Sequence, residues 1–382
     1  MTRPRTRVAL FTNFHPDIGG GSVNLRSILA VLPDLDVTWF HLGSKPASWP
    51  GSVWLGENLI GGPPLRDILL SPLLLGGIYK GRLRQLARQI IDRRYDVHWV
   101  VAMNEGIVVG NLLARADHGT PLHVSVQDDQ AAWMWCRSRR YKWLTALVKS
   151  PWKRLLKAAR SVDVTSFGMQ QHYGRRFGLE SVVVHPYVEK LPELPGRTPN
   201  PDWVEVGHIG SVYDLNDFAV FLRSLRRWTK MQGKKLRLVM IGLGTRQSET
   251  LNEGQADAVE NIPSMSEPAA VQRLHRCDFV YAMYPFRREA QVFRQTSLPT
   301  KLSTYVQAQR PVLAHTPADS SLAAIVGEYG LGVIAAACDE ARLAEPLAAA
   351  VRHGALEKEF ERAREELYGY HNVETVRACL ET

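Results

Sequence analysis

Between Thr296 and Val333 the chain reads TSLPTKLSTYVQAQRPVLAHTPADSSLAAIVGEYGLGV, a tight succession of element signals that few folds accommodate. Thr296-Ser297-Leu298-Pro299-Thr300 predicts a helix start, with a capping hydroxyl and proline in the first turn. Leu302, Tyr305 and Val306 follow at helical spacing, and Arg310-Pro311 ends the pattern. Val312-Leu313-Ala314 predicts a short buried strand, Asp319-Ser320 caps a second helix, and Gly330-Leu331-Gly332 turns the chain. This is a helix–strand–helix unit of an α/β domain. Lys301 lies in the first turn of its first helix, where free N–H groups favour an anion, so the unit is either a plain building block or a phosphate site.

The same alternation runs through both halves. Arg7–Asn13 is the kind of buried strand that opens a parallel sheet, and it leads through Gly19-Gly20-Gly21 into a helix over Val23–Leu32. Those glycines either let a ligand approach the backbone or simply make a flexible connection. Further strands are predicted at Val37–Leu42, Asp96–Met103 and Leu122–Val126, with a helix over Lys80–Arg94. Asn104-Glu105 and Asp128-Asp129 fall at carboxyl ends of strands, where ligands of open α/β sheets gather. Neighbouring carboxylates point apart, so one of Asp128 and Asp129 at most faces a ligand, and the other caps a turn. Strands at Ser161–Phe167 and Ser181–Pro186 close this half, and a linker with Pro192, Pro195, Pro199 and Pro201 follows.

The second half restarts with a strand at Glu205–Ile209, closed by Gly210-Ser211, and a helix over Asp217–Gln232. Leu236–Ile241 ends in Gly242-Leu243-Gly244-Thr245-Arg246, which makes Arg246 either a phosphate contact or a surface arginine. Asp278–Met283 leads to Tyr284-Pro285-Phe286-Arg287-Arg288, a loop expected beside the Thr296 segment. Helices over Glu340–Leu367 and Asn372–Leu380 end the chain.

Length and composition set the outer limits. The 382 residues, 45% of them hydrophobic, suffice for two domains with large cores. Cys136, Cys277, Cys338 and Cys379 show no close pairing, which fits a reducing compartment and offers no zinc signature. No apolar run suits a signal peptide or a membrane span. The net charge of +9 requires an acidic partner or a concentrated patch, and no nucleic-acid motif accompanies it. Arg137–Arg160 supplies the patch, with nine Lys/Arg and no acidic residue. Ser150-Pro151 predicts a helix restart, beyond which Lys149, Lys153, Lys157 and Arg160 line one face and Trp152, Leu155 and Leu156 another. The pattern suits equally a helix lying on an anionic membrane with Trp152 in the headgroups, or a solvated basic face over a core stripe.

Pro-x-Lys-Leu-x-x-Tyr, then Arg-Pro-Val-Leu-Ala, then Gly-x-Gly-Val resembles the donor-site segment of retaining family 4 glycosyltransferases of the GT-B class. Pro299, Lys301, Leu302, Tyr305, Pro311 and Val312 carry the match. The chain departs from the family at Thr304, where a ribose-binding Glu is usual, and at Ser297, where a second acidic residue often sits. It departs again at Asp214-Leu215-Asn216, where the family has a basic residue, and Arg287 or Arg288 is expected to replace that charge. The resemblance implies two doubly wound Rossmann-like domains facing a cleft, 1–190 with a returning C-terminal helix over 368–382, and 201–367.

It also implies transfer of a hexose from a nucleotide diphosphate sugar to a glycan or lipid-linked acceptor, retaining and without a metal or other cofactor. The expected setting is bacterial cell-surface polysaccharide or glycolipid synthesis, in the cytoplasm or on the inner face of the membrane. Lys301 and Arg246 would neutralise the leaving diphosphate. Gly20, Gly21, Gly210, Ser211, Gly244, Tyr284, Arg287, Ser297, Thr300 and Thr304 would complete the donor site. Asn104, Glu105 and Asp128 would meet the acceptor or the transferred sugar. Two other readings follow from the departures: a GT-B protein that binds a ligand or partner without transfer, and a sugar-nucleotide epimerase, for which the acidic and histidine groups are not evident.

Overall fold

The computed structural model describes residues 5–60, 69–71, 73–74, 80–116, 119–137, 142–244, 247, 256–350 and 356–381. The chain forms two units, one of Met1–Tyr187 with Tyr370–Thr382 and the other of Val188–Gly369.

The first unit is built on a parallel sheet of β1 (Thr6–Thr12), β2 (Leu35–His41), β3 (Ser52–Trp54), β4 (Val97–Val101), β5 (Leu122–Val126), β6 (Ser161–Val164) and β7 (Val182–Val183). Its order is β3-β2-β1-β4-β5-β6-β7, so the winding reverses between β1 and β4. Helices α1 (Gly20–Leu29), α2 (Lys80–Ile91), α3 (Glu105–Ala116), α4 (Gln130–Arg137), α5 (Leu144–Ala158) and α6 (Phe167–Phe177) connect the strands. Side chains alternate across each strand. Ala9 and Phe11 of β1 therefore enter the layer of Leu83, Val109 and Leu155, while Val8 and Leu10 meet Leu25, Ile28 and Val376.

The second unit repeats the plan with β8 (Trp203–Ile209), β9 (Lys235–Ile241), β10 (Ala258–Ile262), β11 (Phe279–Met283), β12 (Val312–His315) and β13 (Gly332–Ala335) in the order β10-β9-β8-β11-β12-β13. Its helices are α7 (Leu215–Met231), α8 (Glu267–His275), α9 (Gln291–Thr296), α10 (Lys301–Ala308), α11 (Ser321–Tyr329), α12 (Ala344–Ala350) and α13 (Glu357–Tyr368). Phe218, Phe221 and Leu225 of α7 cover one face together with Val206, Leu238 and Tyr281. On the other face α8 comes so close that a Cβ on Gly207 would lie 2.5 Å from Leu274 Cδ2. The last helix, α14 (His371–Glu381), belongs to the first unit. Val373, Val376 and Leu380 join that unit's core, and Asn372 Oδ1 accepts from the His185 N–H at 2.7 Å.

One local expectation is corrected. Pro151 does not restart a helix, because α5 runs through it from Leu144 to Ala158. The proline is half-buried beside α3, where its carbonyl accepts from Asn111 Nδ2 at 2.9 Å, and it leaves the Leu147 carbonyl without an intrahelical donor. The helices expected over Glu340–Leu367 are α12 and α13.

Candidate functional site

In the second unit the winding reverses between β8 and β11, and ligands of open α/β sheets bind outside the carboxyl ends of strands at such a point. The chain brings Gly210, Ser211 and Lys301 together there. Gly210 has φ +77, a conformation glycine adopts without strain, and it turns the backbone back over the end of β8. Tyr305 sits one turn beyond Lys301 on the same face of α10. Its buried hydroxyl donates to the Tyr281 carbonyl at 2.8 Å and accepts from the Ile209 N–H at 3.3 Å, which pins α10 to the ends of β8 and β11.

Lys301 Nζ donates to the Ser211 carbonyl at 3.0 Å and lies 3.3 Å from His208 Nε2. The other ring nitrogen of His208 is 2.9 Å from the Tyr281 carbonyl, so it carries the proton and leaves Nε2 as an acceptor for the ammonium. Burial, and then the Lys301 charge, push the His208 pKa down to about 3, and burial lowers that of Lys301 to about 7. Lys301 as a residue keeps part of its surface open, which makes it a site group rather than a core one. The ring of Tyr213 covers the ammonium at 5.6 Å and stacks on Tyr284, also at 5.6 Å. Gln247 clamps this loop, donating to the Val212 carbonyl at 2.8 Å.

Three of the other expected donor residues, Tyr284, Arg287 and Ser297, are engaged elsewhere. Tyr284 is fully buried beneath Tyr213, so Tyr213 holds the outer position. Arg287 does not replace the missing cation as a free charge, because it pairs with Asp214, the N-cap of α7. Asp217 fixes the same loop by accepting from the Phe286 N–H at 2.9 Å. Ser297 is buried, and its carbonyl accepts from Ser321. Thr300 lies directly before α10, half-buried. Gly244 is exposed at the end of β9 with no atom near its missing side chain. Arg246 lies outside the described residues.

Thr304 is where the structure adds a group that sequence reasoning missed. Its hydroxyl donates to Glu267 Oε1 at 3.2 Å, and Gln307 donates to the same oxygen at 3.1 Å. A carboxylate from the first turn of α8 thus reaches the position at which the chain itself offers only a hydroxyl. Nothing in the spacing of the sequence signals this pairing across two helices.

The candidates of the first unit divide in the same way. Gly20 is exposed at the start of α1. Gly21 lies under Gln127, whose Nε2 donates to the Gly21 carbonyl at 3.0 Å. Asn104 pairs with Gln130, accepting from its Nε2 at 2.9 Å. Glu105 is fully buried, with Oε1 accepting from the N–H groups of Leu59 at 2.6 Å and Ile60 at 2.8 Å. It anchors a loop, and the acceptor role read for it from sequence is withdrawn. Asp129 accepts from the Ala132 N–H at 2.8 Å and from Tyr173 Oη at 3.1 Å, leaving Asp128 as the half-exposed carboxylate.

No protein-family model and no curated protein sequence matches the chain. Solved structures do. A trehalose-6-phosphate synthase, OtsA, superposes with a TM-score of 0.68 at 11% identity, covering 99% of both chains. An E. coli structure described as trehalose-6-phosphate bound with UDP-2-fluoro glucose gives 0.67 at 11% identity, again over 99% of both. WaaG, described as a glycosyltransferase involved in lipopolysaccharide biosynthesis, gives 0.64 at 12% identity, covering 98% of this chain and 99% of its own. The fold is GT-B. At these identities the likeness concerns architecture alone. Within the GT-B fold Lys301 occupies the carboxyl edge of the second parallel sheet, between the ends of β8 and β11.

Proposed function

We propose that the protein is a glycosyltransferase that moves a hexose from a nucleotide diphosphate sugar to a glycan or lipid-linked acceptor. The observation that carries the reading is the Lys301 ammonium held over the Gly210-Ser211 turn at the reversal point of a GT-B sheet. Breaking the bond from the anomeric carbon to the diphosphate leaves charge on phosphate oxygens. Lys301 and the N–H groups at the start of α10 would stabilise that charge without a metal. In the retaining course that the family resemblance implies, the acceptor oxygen bonds to the anomeric carbon and its proton passes to the departing phosphate. Glu267, with Thr304, would accept from the ribose hydroxyls, and Asp128 would meet the acceptor or the transferred sugar.

The neighbours support this reading by kind, one of them being described with a UDP sugar and another as a lipopolysaccharide glycosyltransferase. A thermal-shift screen of nucleotide sugars, with UDP-glucose as the first arm, tests donor binding through the rise in melting temperature. Calorimetry of Lys301→Ala tests the site, because the loss should be larger for a nucleoside diphosphate than for the nucleoside. An ionic hydrogen bond contributes about 1.5–3 kcal/mol. Equal losses would remove Lys301 from the donor site. Donor binding without transfer to any acceptor would favour a binding protein.

A membrane-bound acceptor fits the surface of α5. Trp143, Leu147, Lys149, Lys153, Arg154 and Lys157 are all exposed, and helical spacing puts them on one face. Among the described residues no helix is long and apolar enough to cross a membrane, so contact would be peripheral. Trp152 takes no part. It is buried, with its ring 6.4 Å from that of Tyr173.

A further inference from the structure

A cavity of about 740 Å³ lies at the amino ends of the second unit's strands. The linker from Leu194 to Pro199, Val204 of β8, Phe279 of β11 and Phe360 of α13 line it. Lys301 stands at the carboxyl ends of the same strands, and β8 alone spans roughly 20 Å between the two edges. The cavity is therefore separate from the donor site.

Its walls are fixed by hydrogen bonds. The ring nitrogens of His275 lie 3.0 Å from the Pro195 carbonyl and 2.9 Å from that of Ala308, and Gln309 Nε2 donates to the Pro192 carbonyl at 2.9 Å. Three cations line the space: Arg197, Lys234 and Arg310. Arg197 is spent on Asp278 and the Arg276 carbonyl, and the second oxygen of Asp278 accepts from the Glu205 N–H at 2.8 Å. Arg310 differs. It is half-buried, it has no hydrogen bond or ion pair among the described residues, and its Nε is shut off from solvent without a partner. Burial, and then the charge of Arg197, make its protonated form harder to hold.

Nε is closed to the cavity as well as to bulk solvent, so an anion would meet the terminal nitrogens of Arg310, and a guanidinium is shaped to hold an oxyanion on two parallel bonds. Trp228, Phe279, Phe360 and Pro311 add apolar surface to the lining, which also includes the exposed Glu357. We infer that this cavity is a second ligand site, which takes a small molecule carrying a phosphate or a carboxylate on an apolar body, with Arg310 as its charge partner. Such a ligand would act as an effector rather than a substrate, since it meets the linker into β8 and not the carboxyl edge.

Calorimetry on the full chain with phenyl phosphate, benzoate and inorganic phosphate tests this. Phenyl phosphate or benzoate should bind saturably to one site, and whichever binds tighter identifies the anion class. Inorganic phosphate should bind at least tenfold more weakly, lacking the apolar body. Arg310→Met should weaken the aromatic anion at least tenfold, Arg310→Lys should fall between, and Lys301→Ala should leave it unchanged. Unliganded Arg310→Met should melt no lower than the wild type, because the donor it removes has no partner. The inference is overturned if neither aromatic anion binds saturably, if Arg310→Met binds as the wild type does, or if Lys301→Ala abolishes binding.

Discussion

Lys301 Nζ lies 3.3 Å from Nε2 of a histidine that stays neutral, since burial and the ammonium itself hold His208 at a pKa of about 3. The neutral ring accepts from Lys301 without adding charge, and burial lowers the lysine pKa to about 7. A diphosphate beside the ammonium would raise that pKa again. Binding at pH 8 should therefore take up close to one proton, and affinity should fall about tenfold between pH 7 and pH 8.5. Without ligand the sign reverses. The unfolded chain holds the lysine proton up to its ordinary value of 10.5, so stability should rise with pH from about 7 towards that value. Calorimetry in buffers of different ionisation enthalpy measures the uptake. Lys301→Gln should abolish both dependences, and a pH-independent affinity in the wild type would show that the ammonium does not meet the ligand.

Glu267 and Thr304 make a joint prediction. A single Thr304→Glu would place a second carboxylate against Glu267, only 3.2 Å from the present hydroxyl. Like charges at that distance repel, so the single variant should lose stability and gain no affinity for a nucleoside. Combining it with Glu267→Ala should recover both. Glu267→Ala alone should weaken nucleoside binding by about 1.5–3 kcal/mol, the range for hydrogen bonds to a charged group. Titration of the three variants with a nucleoside decides the matter, and a single Thr304→Glu that binds better than the wild type would contradict it.

The loop at the start of α3 should behave as structure. Glu105→Ala leaves the Leu59 and Ile60 N–H groups without their acceptor, at a cost of about 1–3 kcal/mol. Gly106→Ala would put a methyl 2.1 Å from the Val101 carbonyl oxygen, a backbone atom that cannot swing away. Overpacking of this kind costs about 1–3 kcal/mol. Both variants should lower the melting temperature while leaving nucleotide affinity intact, as differential scanning calorimetry and donor titration together would record.

The architecture was legible because both sheets are parallel. Their strands are buried on two faces and read as continuous apolar runs, as at Val8–Phe11 and Leu238–Ile241. Lys301 and Tyr305 were legible too, since helical spacing fixes their common face. Partners supplied by other elements were not. Arg287 looked free in sequence because Asp214 is 73 positions away, on the loop after a different strand. Glu105 looked like a ligand group at a strand end, but its carboxylate turns inward to backbone donors 45 and 46 positions earlier. The face of α5 was misread for a local reason. A helix that started at Pro151 would exclude Trp143 and Leu147 and leave Trp152 as its tryptophan, whereas the continuous helix turns Trp152 to the core.

With α5 continuous, the membrane prediction changes its apolar anchor. Trp143 is 53% exposed and Leu147 43%, whereas Trp152 is 4% exposed, so only the first two are available to enter a headgroup layer. Lys149, Lys153, Arg154 and Lys157 have no ion-pair partner among the described residues, which leaves their charge for the lipid. Each basic side chain near an anionic surface contributes about 1 kcal/mol, and the attraction decays over a Debye length of roughly 8 Å at physiological salt. Sedimentation with vesicles containing phosphatidylglycerol should show binding that weakens with salt, and neutral phosphatidylcholine vesicles should not bind. Changing the four basic residues to Glu should abolish sedimentation. Trp143→Ala with Leu147→Ala should weaken it and leave its salt dependence in place, because that part is electrostatic. Trp152→Phe should sediment as the wild type does. If the charge-reversed protein still sediments, or the wild type never does, α5 is a solvated face and the acceptor comes from solution.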